Sequence, residues 1–280
     1  DLGEEPAFLH EIDQFSRRFR YLVTYNGKCF DAQVLRTRYL IHRNEDPLIG
    51  KHHIDMLFIA RRLWKRRFQE CNLTNLERNL LGFERKDDIP GYLIPSAYTD
   101  YLRFANASLI QKVLHHNQWD IVSLAVLMAR ACLLGEEAPE LSAEEHFSLS
   151  LLYERRKDYG KAVQHQLQAL RSQFAWSQSC LLALAQNLRR LKDFDGMKDL
   201  LGFVQKENLT NDLARKLCII CEHDLRDYEL GLSLAQMQIA KLERYRGIGS
   251  SVLQLLSEWR ARKDRLLKKN HRDTETRSLK

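Results

Sequence analysis

Apolar residues recur at helical spacing along most of the chain, and in two short places they bunch into strand-like runs. From Glu4 to Arg20, Phe8, Leu9, Ile12, Phe15 and Phe19 fall three and four apart, which predicts an amphipathic helix with one buried face. Tyr21 to Tyr25 is a β-prone run that Asn26-Gly27 stops. Phe30 to Tyr39 reads as helix, His52 to Asp55 as a strand end, and Met56 to Phe68 as helix again. Thr74 to Leu81 predicts a further helix, with Thr74 and Glu77 as a capping box and Gly82 as its stop. Ile89-Pro90-Gly91 and Ile94-Pro95 predict an extended loop. Tyr98 to Phe104 and a long apolar-faced stretch from Leu109 to Leu134 read as helices. Strand, helix, strand and then helices predict an α/β fold for residues 1–134.

The segment Gly135 to Glu140 is the best linker candidate, and beyond it every pattern is helical. Three short words repeat there: Lys157-Asp158-Tyr159, Lys192-Asp193-Phe194 and Arg226-Asp227-Tyr228. The aromatic positions are 194 − 159 = 35 and 228 − 194 = 34 apart. Such a period resembles the tetratricopeptide helix-turn-helix unit, and the resemblance covers residues 142–260. Tyr153, Ala162 and Ala169 fall where that unit places its first-helix Tyr and its small packing residues. Met197 and Gly231 replace the first Ala in the later units. The array implies either a surface for a protein or peptide partner or a plain helical appendage. Residues 261–280 read as a basic tail expected to fray.

Composition narrows the classes. The 280 residues are 44% hydrophobic and 29% charged, globular rather than disordered, with a formal net charge of +7. A mild basic excess suits nucleic acid without requiring it. No apolar run is long enough to span a membrane, so no membrane partner is expected. The acidic start, Asp1 to Glu5, lacks Met and is unlike a signal peptide. Six scattered cysteines suit a reducing, cytoplasmic location. Cys218-Ile219-Ile220-Cys221 has metal spacing, but its apolar helical setting reads as core packing.

Two segments carry candidate chemistry. In Tyr25-Asn26-Gly27-Lys28-Cys29-Phe30-Asp31 a strand turns into a helix that begins near Asp31, and such junctions face the open end of α/β sheets. In His115-His116-Asn117-Gln118-Trp119-Asp120, His116 and Asp120 lie four apart on one helix face. A carboxylate beside a His suits a divalent metal and a proton-accepting imidazole. Taken singly, Asp31 also reads as a helix-dipole residue and His116 with Asp120 as a surface pair. Arg61, Arg62 and Lys65 lie in a basic run with Trp64, either a phosphate-contacting face or a solvated one.

Together, Tyr-Asn-Gly-x-x-Phe-Asp followed by His-Asn-x-x-Asp-Ile-x-Ser-Leu resembles the second and third motifs of the DEDD exonuclease superfamily. More narrowly it resembles the bacterial YprB-like family of ribonuclease-H-like (DnaQ-type) domains, over residues 1–134. His53-Ile54-Asp55-Met56-Leu57, the Leu73 to Gly82 word and Asp88-Ile89-Pro90-Gly91-Tyr92 add to the match. The resemblance implies a metal-dependent nuclease, a 3′-5′ exonuclease on DNA or RNA using two Mg²⁺ or Mn²⁺ ions. It assigns Asp31 and Asp120 to metal and His116 to the general base, with His115 as rival. Asn26 is assigned to the turn beside the site. Lys28, Arg61, Arg62 and Lys65 join Asn26 as expected nucleic-acid contacts.

The superfamily's Asp-x-Glu motif, with the first three strands that carry it, has no counterpart here. Asp273-Thr274-Glu275 spells it in the polar basic tail, which reads as chance. The chain is therefore read as a piece lacking two of four metal carboxylates, expected to be inactive alone. The competing function is a non-catalytic scaffold that binds nucleic acid or protein.

Overall fold

The computed structural model describes residues 3–42, 44–105, 107–134, 141–171, 177–204, 209–245 and 249–278. The expected linker, Gly135 to Glu140, lies outside the described residues. Two compact units emerge, Asp1–Leu141 and Ser142–Lys280.

The first unit begins with α1 (Glu5–Ser16), started by Pro6 in its first turn. Strand β1 (Tyr21–Thr24) pairs in parallel with β2 (His52–Asp55), with Tyr21 opposite His52 and Thr24 opposite Asp55. Helix α2 (Asp31–Ile41) lies in the crossover that parallel strands need. Arg38 of α2 and His42 just past its end grip Glu5, and the Tyr39 hydroxyl donates to the Leu9 carbonyl, so α2 holds α1. These partners keep the Glu5 carboxyl far below its ordinary value, at about 2.

The face expected to be buried on α1 is mostly open. Leu9 is buried, but Phe8 is 63% and Phe15 61% exposed. Phe15 and Phe19 border a groove of about 580 Å³ between α1, β1 and α2 that no described element covers.

Helix α3 (Met56–Phe68) buries Met56, Ala60, Leu63 and Trp64, at the three- and four-residue spacing its sequence shows. Next, α4 (Leu73–Leu76) runs into a π turn, Glu77–Leu81, closed by Gly82 at φ +66°. Here the structure corrects the capping-box expectation. Asn72 is the N-cap, its side chain accepting from the Asn75 amide at 2.7 Å, and Thr74 lies inside the helix. Glu77 is buried and has a different partner. The loop expected at Ile94-Pro95 is also corrected: Ile94 opens α5 (Ile94–Phe104), with Pro95 at the helix start, where its missing N–H costs nothing. Helix α6 (Ala107–Leu133) completes the unit without interruption.

The second unit is a run of helical hairpins: α7 (Ala143–Arg155) with α8 (Tyr159–Arg171), α9 (Ser177–Leu191) with α10 (Phe194–Phe203), and α11 (Asn211–Ile219) with α12 (Tyr228–Glu243). Helix α11 continues as a π turn, Ile220–Leu225. The repeated words are the hairpin corners. Lys157, Lys192 and Arg226 take left-handed φ values of 62°, 56° and 54°. Asp158, Asp193 and Asp227 then cap the second helix, accepting from the amides of Lys161, Gly196 and Leu230 at 3.2, 2.9 and 3.0 Å. Ala162 and Ala169 are fully buried, as the repeat pattern asks. Cys218 and Cys221 are core residues, and burial pushes the Cys218 thiol up to about 12.

Helix α13 (Ser250–Ser278) corrects the frayed-tail expectation. Trp259 and Leu266 enter the core. On the same helix Arg265 and Lys269 hold the buried Glu222 at 2.7 and 2.9 Å. Burial alone would raise the Glu222 carboxyl, but those two cations outweigh it and hold it at about 2. Asp273 and Thr274 belong to this helix, not to a strand.

Candidate functional site

The turn after β1 is built by backbone requirements. Asn26 takes φ 65°, a conformation that Asn tolerates better than most residues. A Cβ at Gly27 would come within 2.6 Å of the Thr24 side chain, so Gly is needed there. Asp55, at the end of β2 and 3% exposed, accepts from the amides of Asn26 at 2.8 Å, Lys28 at 3.0 Å and Leu57 at 3.1 Å. One carboxylate thus ties the turn to the start of α3. Asp31 opens α2 as expected and lines the groove beside Thr24. Its carboxylate makes no hydrogen bond or ion pair with a described residue.

The second candidate segment sits in a charged cluster. Arg85 is 3% exposed at its side chain and forks onto Glu77, Nε to Oε2 at 2.8 Å and Nη2 to Oε1 at 2.6 Å. The same Nη2 donates to Asp120 Oδ1 at 2.6 Å, and Nη1 lies 3.3 Å from Asp88 Oδ2. Burial would lower the guanidinium's pKa, yet its hydrogen bonds with Glu77 and Asp120 outweigh that and raise it. Asp88 Oδ1 is 2.8 Å from His116 Nδ1, and His116 Nε2 is 3.5 Å from Asp120 Oδ2. Burial raises Asp88, but His116 and Arg85 together leave its carboxyl below the ordinary value.

His115 looks elsewhere. The Trp119 indole donates to its Nε2 at 2.7 Å, with the rings edge to face. Of the two rivals, His116 is therefore the one with carboxylates on both ring nitrogens. His116 and Asp120 come together; no hydrogen bond or ion pair joins Asp31 to either among the described residues. Asn26, Arg61 and Lys65 line one groove, while Lys28 and Arg62 are exposed outside its lining. Sequence reasoning missed Arg85 altogether and gave Glu77 and Asp88 no role at a site.

A divalent-ion centre needs several oxygen donors around one point. No group of three or more His, Cys, Asp or Glu side chains able to hold a metal is found among the described residues. Asp120 Oδ1 is occupied by Arg85, and both Asp88 oxygens by His116, Arg85 and the Ile89 amide. The described donors therefore do not fit a complete two-ion centre.

Residues 1–132 match the family model described as the RNase_H superfamily, so the first unit is ribonuclease-H-like. The chain as a whole is similar to "Uncharacterized protein YprB" of Bacillus subtilis (strain 168), at 29% identity over 241 residues. That match covers 84% of this chain and 57% of the relative's length, so the chain spans little more than half of the relative. No solved structure matches. No described helix is long and apolar enough to cross a membrane.

Proposed function

We propose that this chain carries part of a nuclease site in which His116 accepts the proton of a water attacking a phosphodiester bond of DNA or RNA. The observation that supports it is the sequence of contacts Asp88, His116, Asp120. Asp88, 2.8 Å from Nδ1, orients the ring so that Nε2 turns toward Asp120 Oδ2. In this reading a water held beside Nε2 and Asp120 Oδ2 is oriented by the carboxylate and deprotonated by the imidazole. Arg85 is the positioning residue: it holds Asp120 Oδ1 and Asp88 Oδ2 from a buried seat on Glu77. The family resemblance adds the finer readings, a 3′-5′ direction and dependence on Mg²⁺ or Mn²⁺, with Asp31 and Asp120 as ligands. The second unit is read as a tetratricopeptide-like array for a protein or peptide partner, resting on three corners that share a left-handed residue followed by a capping Asp. Six free cysteines, four of them buried, suit the cytoplasm.

A scaffold without catalysis is the second reading, and the incomplete donor set favours it. One experiment separates the two. The protein, at the length its gene encodes, is incubated with Mn²⁺ and end-labelled single-stranded DNA and RNA. Stepwise shortening is expected, slowed roughly 10²- to 10⁴-fold by His116→Ala and abolished by Asp31→Ala or Asp120→Ala. Absence of metal-dependent cleavage on both substrates would leave the scaffold.

A further inference from the structure

The groove on the far side of Asn26 has no role in the chemistry above. It encloses about 570 Å³ between the β1 turn, α3 and the segment that follows α3. Its lining includes Leu57 and the half-buried ring of Tyr25, an apolar floor. Arg61 and Lys65 stand at its rim, one helical turn apart and both exposed. Neither makes an ion pair or hydrogen bond with a described residue. The side-chain amides of Asn26 and Gln69 are likewise uncommitted. Glu70, turned toward the Asn72 amide at 3.4 Å, is the acidic member of the lining. The Tyr25 hydroxyl is already spent on the Cys71 carbonyl at 2.5 Å, so the ring is fixed as a wall.

We propose that this groove binds a single nucleic-acid strand, its phosphates at Arg61 and Lys65 and a base against Tyr25 and Leu57. Cations without partners at a rim, free amides and a fixed aromatic wall are the parts that sequence-tolerant strand binding uses. The choice of ligand rests on the nuclease reading, and it assigns the substrate as a strand rather than a mononucleotide. Asn26 joins the two sites, since its backbone makes the turn into Asp31 while its side chain lines the groove.

The test is fluorescence anisotropy with a labelled twelve-nucleotide oligothymidylate in EDTA, where no cleavage intervenes. Arg61→Gln/Lys65→Gln is expected to lose about tenfold in affinity and to lower the slope of log affinity against log salt by about 1.4. Arg36→Gln/Arg103→Gln removes the same charge outside the groove and is expected to change affinity less than about twofold. Asn26→Gly keeps the left-handed turn, removes the amide and is expected to weaken binding with an unchanged melting temperature. Equal losses in both charge pairs would overturn the assignment, because only the general field would then be acting. Displacement by inorganic phosphate or thymidine monophosphate as effective, per phosphate, as by unlabelled strand would overturn it too. Binding without cleavage would sink the hydrolase and spare the groove; cleavage with the double variant's KM unchanged would do the reverse.

Discussion

Arg85 shows what a single side chain does when burial and pairing compete. A guanidinium taken out of water is costly, and only its fork onto Glu77 and its contacts with Asp88 and Asp120 offset that cost. Arg85→Met strands Glu77 in the core, so a loss of about 3–5 kcal/mol is expected in urea unfolding. Glu77→Gln/Arg85→Met should recover a large part of it, because no buried charge is then left alone. The sequence hides this. Phe83-Glu84-Arg85-Lys86-Asp87-Asp88 reads as a solvated charge run, and nothing local says which charge turns inward. Arg85's two closest carboxylates, Glu77 and Asp120, are 8 and 35 residues away, a separation that only the fold brings together. Asp31, Asn26 and Gly27 were legible because a turn is local: one residue tolerating φ above zero, one lacking a Cβ, one opening a helix.

At the level of elements, the repeated words were visible as a period but not as a cause. The cause is a corner in which a basic residue takes left-handed backbone and the following Asp caps the next helix. Asp193→Ala and Asp227→Ala should each cost about 1 kcal/mol in thermal or urea melts. Their sum should be nearly additive, because each cap serves a different hairpin. Lys192→Gly should instead stabilise by roughly 1 kcal/mol, since glycine pays no Cβ penalty at that angle. The missed start of α5 has a similar origin: a proline reads as a loop, yet its missing N–H is harmless in a first turn. Glu222 gives the second unit an acid-sensitive anchor. Its folded pKa of about 2 lies below the ordinary 4.5, so its stabilisation is full above 4.5 and is lost as pH falls toward 2. Roughly 2 kcal/mol should go in that window, reduced because Arg265 and Lys269 are part-exposed. Glu222→Gln should flatten that part of the melting temperature's pH profile.

For the whole molecule, the class of each half could be read from periodicity, while the open face on α1 could not. A pattern of Phe and Leu says that a face wants cover, and it does not say whether cover is present. Phe8, Phe15 and Phe19 remain at the water boundary, the last two beside an apolar groove. The native chain should therefore enhance the fluorescence of an apolar dye, and Phe15→Ser/Phe19→Ser should quench most of that signal. The wide π turn that ends α11 has a consequence of its own. At the first two corners the Asp amide reaches back five residues, to Tyr153 and Leu188, but Asp227 reaches back six, to Cys221. The additional residue bulges the coil at the place where Glu222 is aimed inward. Excising one residue between Ile219 and Glu222 would restore an ordinary helix and swing that carboxylate about 100° around the axis. The terminal helix would then keep Trp259 and Leu266 in the core but lose its ionic tie, so a one-residue difference in length governs whether Arg265 and Lys269 find a partner.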